Sequence, residues 1–136
     1  MPKHTLIVQG MAIAVEQVNE QDYVSLTDIA RKSDSRSDIL IASWMKNSST
    51  LEFLEVWETL HNPNFKSNQM AGFKERYLQN RRVLTPQTWV EEVGAVGIIS
   101  RKGRYGGTFA HKDIALNFCY WLSPTFQVIS SKNSNA

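Results

Sequence analysis

The residues best able to do chemistry lie in the stretch RKGRYGGTFAHKD, residues 101–113. Arg101, Lys102 and Arg104 lie among three glycines there, and a short strand-like run follows them. Glycine lets a backbone turn tightly and approach a phosphate closely, and arginine and lysine neutralise phosphates. The stretch therefore fits a phosphate-cradling catalytic loop, an ordinary hairpin turn, or a basic hairpin that contacts a polyanion.

The catalytic loop is the weakest of these interpretations. Residues 103–113 contain neither G-x-x-x-x-G-K-[ST] nor G-x-G-x-x-G, and the residues after the glycines predict a strand where a nucleotide loop requires a helix. An ordinary hairpin whose cations keep its edge soluble stays open beside the polyanion-binding hairpin.

The remaining candidates for catalysis or metal binding are few. His4, His61 and His111 are far apart in sequence and have no metal-ligand spacing. Cys119 falls on the apolar side of a predicted helix, where a buried, inert thiol is the usual outcome. We therefore expect no metal, no cofactor and no enzymatic activity.

Charge is unevenly distributed along the 136 residues. Residues 1–65 carry five Lys/Arg against nine Asp/Glu, a net of −4, whereas residues 66–112 carry nine against three, a net of +6. A fold can gather the basic segment into one patch, so this asymmetry favours an anionic partner. A solvated basic face with no partner is the alternative.

Local patterns predict the elements at the beginning of the chain. Residues 5–18 favour two short strands that turn near Gly10, and Tyr23 and Val24 favour a third strand that completes a β-ribbon. Ser25 begins a capping-box match for a short helix, and a second helix is expected over residues 38–46.

The rest of the chain favours three further helices and a strand. Ser49 is the expected N-cap of a helix that ends near Asn62, and Thr85 and Pro86 begin another that ends at Gly94. Residues 108–110 predict a strand, and 111–122 predict a helix.

Length and composition predict one domain, and the mixture of predicted strands and helices makes its fold class α+β. We expect the domain to span residues 1–130 and residues 131–136 to form a disordered tail. No run approaches the ~20 apolar residues of a membrane helix, and the N-terminus lacks a signal-peptide cleavage site. A cytoplasmic protein is therefore expected.

A longer pattern resembles a known family. The run WVEEVGAVGIISRKGRYGGTFAHKDIALNFCYWLSPTF, with YVSLTDIA and FLEVWETLHNPNF before it, resembles the KilA-N domain of phage and bacterial proteins, a relative of the fungal APSES DNA-binding domain. The likeness spans about residues 10–128. It implies a compact domain with a β-ribbon, a helix-turn-helix-like helix pair and a glycine-rich hairpin that acts as a wing.

This resemblance, together with the charge pattern, predicts a DNA-binding domain of a phage- or prophage-related regulatory protein. The expected DNA contacts of the wing are Arg101, Lys102, Arg104, Tyr105 and Lys112. The expected contacts of the helix pair are Arg31, Lys32, Arg36 and Lys46. Double-stranded DNA is the expected partner and the nucleoid the expected location when bound, while self-association and a protein-interaction module remain alternatives.

Overall fold

The computed structural model describes residues 3–8, 11–33, 36–103 and 106–122, and it has an α+β fold. Five antiparallel strands form one sheet in the order β1-β2-β3-β5-β4. The strands are β1 (Lys3–Val8), β2 (Met11–Val18), β3 (Gln21–Ser25), β4 (Ile98–Arg101) and β5 (Gly107–His111). The predicted fold class is confirmed.

Six α-helices lie within the described residues. They are α1 (Leu26–Ser33), α2 (Ser37–Met45), α3 (Ser48–His61), α4 (Met70–Lys74), α5 (Pro86–Val93) and α6 (Lys112–Leu122). A 3₁₀ turn (Ser67–Gln69) precedes α4, and a π-helical turn (Glu75–Gln79) follows it. The predicted tail, residues 131–136, lies outside the described residues.

The predicted β-ribbon is present at the start of the chain. β2 and β3 are joined by Asn19 and Glu20, whose φ angles of 51° and 66° are both left-handed. A two-residue turn of this hand matches the twist of antiparallel strands. The turn expected near Gly10 lies outside the described residues.

The helix pair α1 and α2 follows directly. The Ser25 hydroxyl accepts a hydrogen bond of 3.0 Å from the Asp28 amide, which confirms the predicted cap of α1. Leu26 and Ala30 of α1 are fully buried, and Ile41 and Trp44 of α2 are buried beside them. Both helices are therefore held by the same core.

The predicted cap of α3 is wrong. The helix begins at Ser48, with Asn47 at the N-cap and Ser49 already inside the first turn. The Asn47 side chain donates to the carbonyls of Ser43 and Trp44, so it satisfies backbone acceptors in the last turn of α2. The spacing of Ser49 and Glu52 satisfied the sequence pattern without forming the motif.

The predicted ends of α5 are confirmed. The Thr85 hydroxyl accepts from the Thr88 amide at 3.1 Å, and Pro86 occupies the first helical position. Gly94 ends the helix with a φ of 68°, a conformation that glycine adopts without a steric penalty.

The core lies between one face of the sheet and the helices. Val24, Ala110 and Ile98 point to that face, because their register places them opposite one another on adjacent strands. Trp44, Trp57 and Trp89 are buried and Trp121 is partly buried, as expected for core positions. Across the described part of the chain, no helix is both long enough and apolar enough to cross a membrane.

The connection between α5 and β4 is held by a buried carboxylate. Glu58 of α3 has no exposed surface, and its oxygens accept from the backbone amides of Val96 at 3.0 Å and Gly97 at 2.8 Å. Asn62 donates a further bond of 2.8 Å. A Cβ atom at position 97 would lie 2.8 Å from both the Glu58 carboxylate and the Trp57 ring, so glycine allows this close approach. Glu58 thereby fixes where β4 starts.

Candidate nucleic-acid interface

The glycine-rich hairpin consists of β4, residues 102–106 and β5. Arg101 pairs with Gly107 at its narrow end, and the Gly106 amide donates to the Gly103 carbonyl at 3.0 Å. A Cβ atom at Gly106 would lie 2.3 Å from the Arg101 carbonyl oxygen, so the turn closes only with glycine there. Gly103 has a φ of 101°. The predicted hairpin is therefore present, and the described residues on either side of its tip require glycine at position 106.

The expected wing contacts have different surroundings. Lys102 and Lys112 are exposed, one at the hairpin tip and the other at the start of α6. Arg104 and Tyr105 lie outside the described residues. Arg101 is bound within the protein.

Arg101 forms a two-pronged ion pair with Glu16 of β2. Its Nε donates to one carboxylate oxygen at 3.1 Å, and its Nη2 donates to the other. The Glu16 side chain is 2% exposed and the Arg101 side chain 35%. A buried carboxylate is costly unless it is paired, so Arg101 neutralises Glu16 and ties β4 to β2. This internal bond competes with any phosphate for the same guanidinium.

The hairpin is joined to α1 at its base. The Thr108 amide donates to the Thr27 hydroxyl at 3.0 Å, and both residues are buried. A Cβ atom at Gly107 would lie 2.9 Å from the same hydroxyl. Asp28 extends the connection, since its carboxylate accepts from the Ala14 amide of β2 at 2.8 Å. Hydrogen bonds therefore connect the ribbon, α1 and the base of the hairpin.

The cations predicted on the helix pair lie at the ends of its helices. Arg31 and Lys32 occupy the last turn of α1, and Arg36 and Lys46 flank α2. All four are exposed. The Arg31 guanidinium lies 4.0 Å from Asp28, and its side chain is 61% exposed, so this contact leaves its charge accessible.

The root of the hairpin contains a group of aromatic side chains around His111. The His111 ring makes a 2.9 Å hydrogen bond with Gln21 and accepts from the Asp113 amide at 3.2 Å through Nδ1. Burial lowers the pKa of His111, and the charge of nearby Asp113 opposes that shift. His111 is therefore neutral at pH 7. Its Nδ1 caps the first turn of α6, which follows β5 directly.

Two histidines that are far apart in sequence meet at this root. The His61 and His111 rings are nearly parallel with centroids 6.4 Å apart, and the Trp57 ring lies within 5.0 Å of each. The Tyr23 hydroxyl donates to the Val96 carbonyl at 2.9 Å, and burial followed by the charge of Glu58 raises its pKa. The side chains at this root are therefore held by ring packing and by hydrogen bonds.

A cleft of about 680 Å³ opens beside the same root. Its lining includes Tyr23, Trp57, His61 and His111, and it contains no Asp, Glu, Lys or Arg. The cleft therefore lacks the Lys and Arg cations that neutralise phosphates, and it is distinct from the basic surfaces.

The described residues offer little for catalysis. No group of three or more His, Cys, Asp or Glu side chains among them could hold a metal ion. Burial raises the pKa of the Cys119 thiol, which keeps it protonated and unreactive.

Sequence reasoning missed the groups that hold the interface together. Glu16, Thr27 and Glu58 are buried polar residues whose partners lie on distant parts of the chain. Only Glu16 gave a local signal, since it is a charged residue inside an apolar strand-forming run.

Comparison with known proteins agrees with the resemblance. A family model described as the KilA-N domain matches residues 7–136. Comparisons with curated proteins and with solved structures found no match. Because the family model covers nearly the whole chain, this chain belongs to the KilA-N family, which is a family of DNA-binding domains and not of enzymes.

Proposed function

We propose that this chain is a DNA-binding domain of a phage- or prophage-related regulatory protein, and that it binds double-stranded DNA through the glycine-rich hairpin and the helix pair. The observation that carries the proposal is the hydrogen bond between Thr27 and Thr108, which joins α1 to the hairpin. Two basic elements held in one body can meet the same duplex without an ordering cost on binding.

In this proposal the hairpin cations divide into two roles. Lys102, Arg104 and Lys112 contact phosphates, and Tyr105 packs against the sugar-phosphate backbone. Arg101 contributes mainly by holding β4 against Glu16, so that the hairpin keeps its direction. Arg31, Lys32, Arg36 and Lys46 supply the contacts from the helix pair. The bound protein is then located at the nucleoid in the cytoplasm.

A protein-interaction module is the second candidate. It is favoured by Val56 and Leu60 on α3, which are 57% and 72% exposed and lie one helical turn apart. A partner bound there would leave the basic surfaces accessible.

The test is a fluorescence-anisotropy titration with a random-sequence duplex at several salt concentrations. We expect affinity to fall linearly in log–log form, and we expect the variant Lys102→Ala/Arg104→Ala/Lys112→Ala to lose about 0.9 of slope per phosphate contact removed. Lys74→Ala is the control, because Glu55 already neutralises that cation at 3.0 Å.

Two results would contradict the proposal. If the wild type does not bind the duplex even at low salt, DNA binding is wrong. If it binds but the triple variant keeps the wild-type slope, the hairpin is not the contact. Arg101 stays unchanged in this experiment, because losing its ion pair with Glu16 would perturb the fold.

A further inference from the structure

The basic segment before α5 contains cations that the hairpin and the helix pair leave unexplained. Lys74 is bound by Glu55, and Arg76 is bound by Glu92. Arg81 and Arg82 are exposed, and no carboxylate of the described residues lies within ion-pair distance of either. Two adjacent arginines therefore keep their charge fully available to an external anion.

The backbone at these arginines is unusual. Arg81 has a φ of 55°, which lies in the left-handed region that residues other than glycine and asparagine rarely occupy. Only Asn80 separates it from the π-helical turn Glu75–Gln79. Both features cost conformational energy, and both recur at functional sites.

This loop is held rigidly by neighbouring contacts. Glu92 of α5 accepts from both the Arg76 guanidinium and the Tyr77 hydroxyl, which fixes the π-helical turn against α5. The Arg82 amide donates to the Arg76 carbonyl at 3.1 Å. Arg81 and Arg82 are therefore presented from a preorganised backbone, which reduces the entropy lost on binding.

The arginine pair and the hairpin both adjoin α5. Arg81 and Arg82 lie just before this helix, which begins at Pro86. Strand β4 of the hairpin packs against the same helix. The two basic elements are therefore connected through one helix of the domain.

We propose that Arg81 and Arg82 form a second phosphate-binding site for the backbone of the same duplex. This inference rests on the proposed DNA binding and adds a contact surface that neither the hairpin nor the helix pair contains. Arginine suits the role, because its planar fork donates two parallel hydrogen bonds to one phosphate. The tip and the arginine loop then contact the duplex at two separate points.

The test compares the salt dependence of duplex binding for the wild type and for Arg81→Gly/Arg82→Ala. Glycine at position 81 keeps the left-handed backbone without strain, so the variant should fold. Lys74→Met is the control, because it removes a charge from the same segment whose cation is already neutralised by Glu55.

We expect the double variant to lose about 1.8 of the slope of log binding constant against log salt. The ratio of the wild-type to the variant binding constant should therefore shrink about 12-fold between about 0.05 and about 0.2 M salt. An unchanged slope in a folded variant, with the wild type still bound to DNA, would refute the arginine site alone. No wild-type binding at any salt concentration would instead refute the proposed function and this site with it. Folding of each variant is checked by thermal denaturation.

Discussion

Arg101 forms an ion pair with the buried Glu16, so we expect its replacement to lower the stability of the fold, which the loss of a simple phosphate contact would not do. Replacing Arg101 with methionine leaves the Glu16 carboxylate buried without the cation that both its oxygens contact. Breaking a buried pair in this way costs about 3 to 5 kcal/mol. The Arg101 side chain is 35% exposed, so water partly screens the carboxylate and the lower value of about 3 kcal/mol applies.

The effect is large enough to measure by thermal denaturation. For a domain of this size about 3 kcal/mol lowers Tm by about 10 °C. Lys102→Met is the matched control, because it removes a neighbouring charge that is exposed at the hairpin tip. Surface substitutions of that kind change stability by less than about 0.5 kcal/mol.

A double-mutant cycle then assigns the loss to the pair. Glu16→Gln combined with Arg101→Met removes both charges, and we expect a coupling energy of about 2 kcal/mol. If Arg101→Met and Lys102→Met instead had the same Tm while both lost DNA affinity, Arg101 would be an ordinary phosphate contact without a structural role.

Three further predictions concern the frame of the hairpin. The free energy of unfolding should fall as the pH drops below about 6.5, because burial lowers the pKa of His111 and the unfolded chain therefore binds a proton on this histidine first. For one proton the slope is at most about 1.4 kcal/mol per pH unit. His61 and Lys112 reinforce this effect while Asp22 and Asp113 oppose it, and urea unfolding between pH 7.5 and 5 should show a smaller loss in His111→Asn. Gly106→Ala should cost more stability than Gly103→Ala, because the methyl group added at position 106 would lie 2.3 Å from the Arg101 carbonyl oxygen. The methyl group added at position 103 would meet nothing within 4 Å, so only its left-handed backbone costs about 1 kcal/mol. Equal melting temperatures of the two variants would contradict this. Glu58→Leu should destabilise the domain by more than about 3 kcal/mol in urea unfolding, since it leaves the amides of Val96 and Gly97 buried without acceptors, and a loss below about 1 kcal/mol would show that the loop is held by other contacts.

Local signals predicted the elements whose ends depend on a few neighbouring residues. The cap at Ser25, the start of α5 at Thr85 and Pro86 and its end at Gly94 were all readable, because each uses a hydrogen bond or a backbone angle within one turn. The α+β class and the ribbon followed from strand and helix periodicities. The prediction of a cap at Ser49 was wrong because α3 already begins at Ser48, with Asn47 at the N-cap.

The arrangement of the site could not be predicted, because it depends on contacts between distant segments. Glu16 and Arg101 are 85 residues apart, and Thr27 and Thr108 are 81 apart. Nothing in the pattern around Arg101 distinguished it from Lys102, although one is bound internally and the other is exposed. Similarly, spacing showed His61 and His111 as separate residues, and only the fold stacks their rings.

The placement of β5 between β3 and β4 has a consequence for how the protein is made. During synthesis the ribbon and α1 emerge first, and the edge of β3 that β5 will cover stays open until residues 107–111 follow. Until then Glu16 also lacks its cation, so the early segment cannot close its core alone. Sheets built from such remote strands fold slowly and expose an edge that invites aggregation. The helix pair and the basic hairpin therefore come together only after residues 107–111 have been made and β5 has paired with β3.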